Sequence, residues 1–133
     1  MMRSPKSRVH RERGQDLAEY AITLPIFLML LVVIVDLGRI TYTYSTMFNA
    51  AREAARAGII DPYDTTEIEN RARGSSIGLD PAVLAITINV DEDADTIEVI
   101  LDYDFQAITP FIDAILPSNP VPLTTRATMQ IER

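Results

Sequence analysis

The chain contains no cysteine and no tryptophan, and it has one histidine, His10. Without cysteine, neither a disulfide framework nor a thiolate metal site can form. His10 stands in a basic N-terminal segment with no triad partner near it, and the remainder of the chain lacks the side chains that most often serve as general base or as thiol nucleophile. Paired acids occur, but none is set in an apparent pocket. No catalytic residue, metal or cofactor is therefore expected, and neither is an enzyme. A length of 133 residues leaves room for one modest domain and excludes a large multidomain architecture.

Charge is missing from one long stretch. Residues 17–35 read LAEYAITLPIFLMLLVVIV, in which Glu19 is the only charge and Thr23 and Pro25 are the main further interruptions. As a helix rising ~1.5 Å per residue the stretch is about 28 Å long, close to the ~30 Å of bilayer hydrocarbon. A helix apolar on every side would need a large core around it, and the roughly 76 residues that follow residue 57 are too few to provide one. The stretch reads as a membrane span, with membrane lipid as its partner. Residues 1–14 hold five cations (Arg3, Lys6, Arg8, Arg11, Arg13) and one acid, a balance of +4 that leaves −11 for the other 119 residues. No further cation comes before Arg39, so the positive-inside rule keeps the N-terminus in the cytoplasm and sends the acidic remainder across the membrane. With no interleaved aromatics and no nucleic-acid fold motif, the basic tip predicts no nucleic-acid partner. A secretory signal would end in a small-residue cleavage site after the apolar stretch, and none is present.

Helical character continues beyond the span. Met47, Ala50, Ala51, Ala54 and Ala55 recur at helical spacing, Gly58 is a natural stop, and Pro62 follows. The three segments expected are a basic leader at 1–14, a long helix at 15–57 spanning the membrane at about 17–35, and an extracytoplasmic α+β domain at 58–133. Pro25 should kink the helix or free a carbonyl, and Gly38 is a second soft point. The stretch DTTEIENRARGSSIG predicts a short surface connector helix, capped by Asp64 with Glu67 three residues on and ended by Gly74 or Gly78. Leu84, Ile86, Ile88 and Val90 alternate with smaller or polar residues, an acidic turn follows at 91–95, and TIEVILDYDF completes a hairpin. Four prolines between 110 and 122 predict an irregular loop over 105–121, or a short helix around 111–116. Alternation resumes in LTTRATMQIE as a third strand. A sheet of about three antiparallel strands has one apolar face to cover, and the alanine-rich outer half of the long helix is the partner available.

Several residues invite chemical readings. Glu19, followed by Tyr20, sits in an apolar helix where an ionised carboxylate costs several kcal/mol unless partnered. A cut after Gly14 would give Gln15 a cationic amine about one turn away from Glu19, or next to the Glu19 of an adjacent subunit; the bland alternative is a carboxyl at headgroup depth. Asp36 and Arg39 are three apart at the outer membrane edge and predict an exposed pair worth ~0.2–0.5 kcal/mol, acting as an interfacial anchor. Tyr42 and Tyr44 suit an aromatic belt or packing on the sheet. Arg52, Glu53 and Arg56 lie among alanines, either as a solvated face or as a helix interface with a neighbouring subunit. Asp91, Asp93 and Asp95 have calcium-loop spacing, but the sixth and twelfth positions are Thr96 and Asp102, so a solvated turn is favoured over a metal.

The order of basic leader, Gly14, Gln15-Asp16-Leu17-Ala18, Glu19-Tyr20 and apolar helix resembles the prepilin-peptidase junction of type IV pilins in its tight-adherence (Flp) form. Asp36-Leu37-Gly38-Arg39, Asn49 to Arg56, and Arg126-Ala127-Thr128-Met129 in the last strand extend the resemblance to TadE-like pseudopilins, over nearly the whole chain from Gly14 to Glu132. The resemblance implies a type IV pilin-like fold and cleavage at Gly14–Gln15 by a prepilin peptidase. It further implies assembly with other pilin or pseudopilin subunits, as a homo- or hetero-oligomer, in or near a pilus or secretion apparatus. The extra globular domain points to a minor subunit; a major filament subunit and a permanently anchored extracytoplasmic binding module are the alternatives.

Overall fold

The computed structural model describes residues 9–110 and 118–132, with side chains from residue 14 onward. The first element, α1 (Val9–Gly58), is one helix of 50 residues, about 75 Å long at ~1.5 Å per residue. It starts earlier than the apolar pattern suggests, within the basic segment. It also runs unbroken through Pro25 and Gly38, so both expected soft points lie inside a continuous helix. Proline removes one N–H bond to the carbonyl four residues before it, a local loss that the flanking turns outweigh.

The helix stops where its backbone meets the sheet. A Cβ built on Gly58 would lie 2.2 Å from Ile97 Cδ1 and 3.2 Å from Ile68 Cδ1, so a larger residue would have to displace the end of the buried Ile97 side chain. The second helix, α2 (Thr65–Ser75), starts as its sequence indicates: Asp64 is the N-cap and its Oδ1 accepts the Glu67 N–H at 3.0 Å. It runs one residue past Gly74. It is no mere connector, because Ile68 and Ala72, four apart, are buried in the same core as the inner face of α1.

Strands β1 (Leu84–Asp91), β2 (Thr96–Phe105) and β3 (Val121–Gln130) form an antiparallel sheet in the order β1-β2-β3. Leu84 pairs with Tyr103 and Asp91 with Thr96 across the hairpin, whose turn is closed by Asp91 Oδ1 accepting the N–H groups of Asp93 and Ala94. β3 begins two residues earlier than expected and contains Pro122, opposite Asp104. An edge strand tolerates proline because one row of its N–H groups has no ladder partner to lose. The short helix expected around residues 111–116 lies outside the described residues.

Alternation places Ile97, Val99, Leu101 and Ala127 on one sheet face, against Met47, Ala50, Ala51, Ala54 and Ala55 of α1. Alanines on the helix let the sheet approach closely, and the larger residues come from the strands. The result is the α+β architecture anticipated: a long N-terminal helix packed by its outer half on a small three-stranded sheet.

Candidate functional site

The inner part of α1 is left uncovered by the described residues. From residue 14 to residue 28 every side chain is exposed, and the helix is long and apolar enough to cross a membrane. On this surface Asp16, Glu19, Tyr20 and Thr23 share one face, as offsets of three, four and seven residues require. Among the described residues, no hydrogen-bond donor or cation reaches the Glu19 carboxylate. Gly14 and Gln15 lie inside the helix, and a Cβ on Gly14 would meet nothing within 4 Å. The bond between them is therefore open on its sides but wound into a helical turn, which any peptidase must unwind. Glycine costs a helix about 1 kcal/mol relative to alanine, which lowers that barrier locally.

At the outer end of residues 17–35, Asp36 departs from expectation. It is buried at 4% exposure, not part of an exposed surface pair. Its Oδ1 accepts a 2.8 Å hydrogen bond from Arg39. Its Oδ2 accepts three more: from the Ile108 N–H at 2.8 Å, and from the Thr109 N–H and hydroxyl at 2.7 Å each. Arg39 also donates to the Gln106 carbonyl at 3.4 Å, and its guanidinium lies 4.8 Å from the centre of the Phe105 ring. Helix α1 is thereby tied to the segment that follows β2. Burial is the largest single influence on the Asp36 carboxyl and pushes its pKa up. The hydroxyl and N–H of Thr109, the Arg39 guanidinium and the Ile108 N–H together outweigh burial and hold the pKa below its ordinary value of 3.8.

Farther out, Arg52 and Arg56 are exposed, and Arg52 lies 5.8 Å from the Phe48 ring centre. Glu53 turns toward α2, where Arg71 approaches it at 3.9 Å while bonding Glu67 at 2.7 Å. Tyr42 and Tyr44 are about half exposed, and the Tyr42 hydroxyl donates to the Ile77 carbonyl at 3.4 Å. Among the described residues, no three of His, Cys, Asp and Glu converge so as to hold a metal ion.

The structure thus separates the residues singled out in the sequence into three places along α1: the Gly14–Tyr20 junction, the Asp36–Arg39 knot and the Arg52–Arg56 turns. Sequence reasoning missed Thr109, Ile108 and Phe105 as partners of the knot. One signal pointed that way, since an acid at the end of an apolar run needs partners and a single arginine supplies only some of them.

The family model described as TadE-like protein matches residues 14–56, a narrower stretch than the one over which the motifs resemble that family. It opens at the junction glycine, closes at Arg56 and leaves the sheet outside. No curated protein and no solved structure matches the chain. Residues 14–56 are accordingly similar to the TadE-like family.

Proposed function

We propose that the protein is a minor pilin or pseudopilin of a tight-adherence-type apparatus, held in the cytoplasmic membrane by α1 with its N-terminus inside and its sheet domain outside. A prepilin peptidase cuts after Gly14, and the processed subunits assemble by bundling the inner halves of their helices. One observation carries the reading: the TadE-like segment starts at Gly14 and includes Glu19, a carboxylate without a partner among the described residues on an otherwise apolar, uncovered helix. Processing supplies the missing cation, because Gln15 then begins the chain with an amine about one turn from Glu19 or beside the Glu19 of a neighbour. Exposed apolar surface on residues 17–35 suits lipid before assembly and other helices after it.

N-terminal sequencing of protein extracted from membranes and from sheared filaments tests this. A chain that begins at Gln15 is expected in both. Functional assemblies built from chains that still begin at Met1 or Met2 would overturn the reading in favour of a permanently anchored binding module. Stoichiometry in sheared filaments separates a minor from a major subunit.

A further inference from the structure

We propose that the loop at residues 106–110 is a second membrane contact, in which Asp36 holds Ile108 at the level where α1 leaves the bilayer and the Ile108 side chain enters the interfacial lipid layer. The inference rests on residues 17–35 spanning the membrane, as read above. Each headgroup layer is about 5–8 Å thick, the difference between a bilayer of ~40–45 Å and its ~30 Å core, shared between two faces. Asp36 is the first residue beyond the span and so lies in that layer. The Ile108 N–H is 2.8 Å from its carboxylate, which brings Ile108 to the same depth. Ile108 is 63% exposed.

The polar groups of the loop support the same placement. Ile108 N–H, Thr109 N–H and the Thr109 hydroxyl all bond to Asp36, and the Gln106 carbonyl accepts from Arg39. With these groups bonded inside the protein, the loop meets lipid without a further desolvation cost for them. Leu37, 59% exposed, lies next to Asp36 in the same layer. Exposure alone does not mark this surface. Ile60 is 86% exposed, but it lies beyond Gly58, some 22 residues or about 33 Å along the helix from Asp36, in open water.

The absence of tryptophan makes the test direct, because one introduced indole reports from one place. Full-length Ile108→Trp, Phe27→Trp and Tyr63→Trp proteins are reconstituted at low density in vesicles of phosphatidylcholine and phosphatidylglycerol, with bromine either near the glycerol or near the methyl end of the acyl chains. Expected for Ile108→Trp is a blue-shifted emission quenched more by shallow than by deep bromine; Phe27→Trp shows the reverse order and Tyr63→Trp neither. Adding Asp36→Ala to Ile108→Trp lowers the shallow quenching, and Thr109→Val serves if that chain does not fold. Failure of Phe27→Trp to respond removes the span, and the proposal with it. A responsive Phe27→Trp with an unquenched Ile108→Trp overturns the lipid contact while leaving the span intact. If that indole is also shielded from aqueous quencher, protein and not lipid covers the loop. Undiminished quenching after Asp36→Ala and after Thr109→Val overturns the role given to Asp36.

Discussion

Between residues 17 and 35, α1 turns Leu28, Leu30, Ile34 and Val35 outward, each more than half exposed, whereas Met47, Ala50, Ala51, Ala54 and Ala55 on the same helix have no exposure at all. Large apolar side chains stand where the chain offers no cover, and small ones where the sheet presses close. The difference teaches that bulk on this helix follows the thickness of what surrounds it. The outer half meets Ile97, Val99 and Leu101, whose side chains fill the gap, so alanine suffices. The inner half is largely uncovered by the described residues, and its stability belongs to its surroundings.

The contrast breaks most severely in the sheet. Leu101→Ala is expected to destabilise the domain by about 2–5 kcal/mol through lost burial and a cavity, while Leu28→Ala stays within ~0.5 kcal/mol for the same domain. Hydrogen exchange of the β2 amides in detergent measures both, and equal effects would erase the distinction between the halves.

Asp36→Ala comes next. It strips three loop donors of their acceptor, and its cost is expected at about 1–3 kcal/mol, seen as faster exchange of the Ile108 and Thr109 amides. Asp36→Asn keeps one acceptor oxygen and costs less. Because folding lowers the pKa of this carboxyl, its contribution is fully present above the ordinary value of 3.8 and is lost as pH falls through the lower folded value. The difference in thermal midpoint between the natural protein and Asp36→Asn should therefore shrink only below pH 3.8.

Two glycines sharpen the comparison further. Gly58→Ala drives a methyl into the buried Ile97 side chain, and an overpacking cost of ~1–3 kcal/mol exceeds the gain of about 1 kcal/mol in helix propensity. Gly38→Ala meets nothing within 4 Å, so the propensity gain remains and the helix becomes more stable, as thermal unfolding should show. Smallest is Glu53→Gln. Its 3.9 Å contact joins two side chains about half exposed, and exposed pairs of this kind are screened; the unfolding midpoint should not move.

These expectations divide along the line between what could be read in the sequence and what could not. The long apolar helix, the Asp64 cap and the alternation of Ile97, Val99 and Leu101 are local patterns, each set by residues within a few positions of one another, and they were legible. The burial of Asp36 was not, because its Oδ2 is satisfied by residues 72 and 73 positions away. Nor was the docking of α2, whose two buried residues, Ile68 and Ala72, are too few to mark a face. Pro122 reads as a strand breaker until the sheet order reveals β3 as an edge. At the junction, Gly14 and Glu19 were legible as residue types in a pattern, while the helix running through them to Val9 was hidden by the polarity of the leader.

One consequence of the unbroken α1 concerns alignment. The apolar shaft is also the keel of the folded head, so the height and compass bearing of the head along and about the shaft are set by residue count. A single residue inserted between Asp36 and Met47 would lift the head by ~1.5 Å and swing it through about 100°, pointing the sheet at a different neighbour. Only insertions that complete whole turns would preserve the original heading.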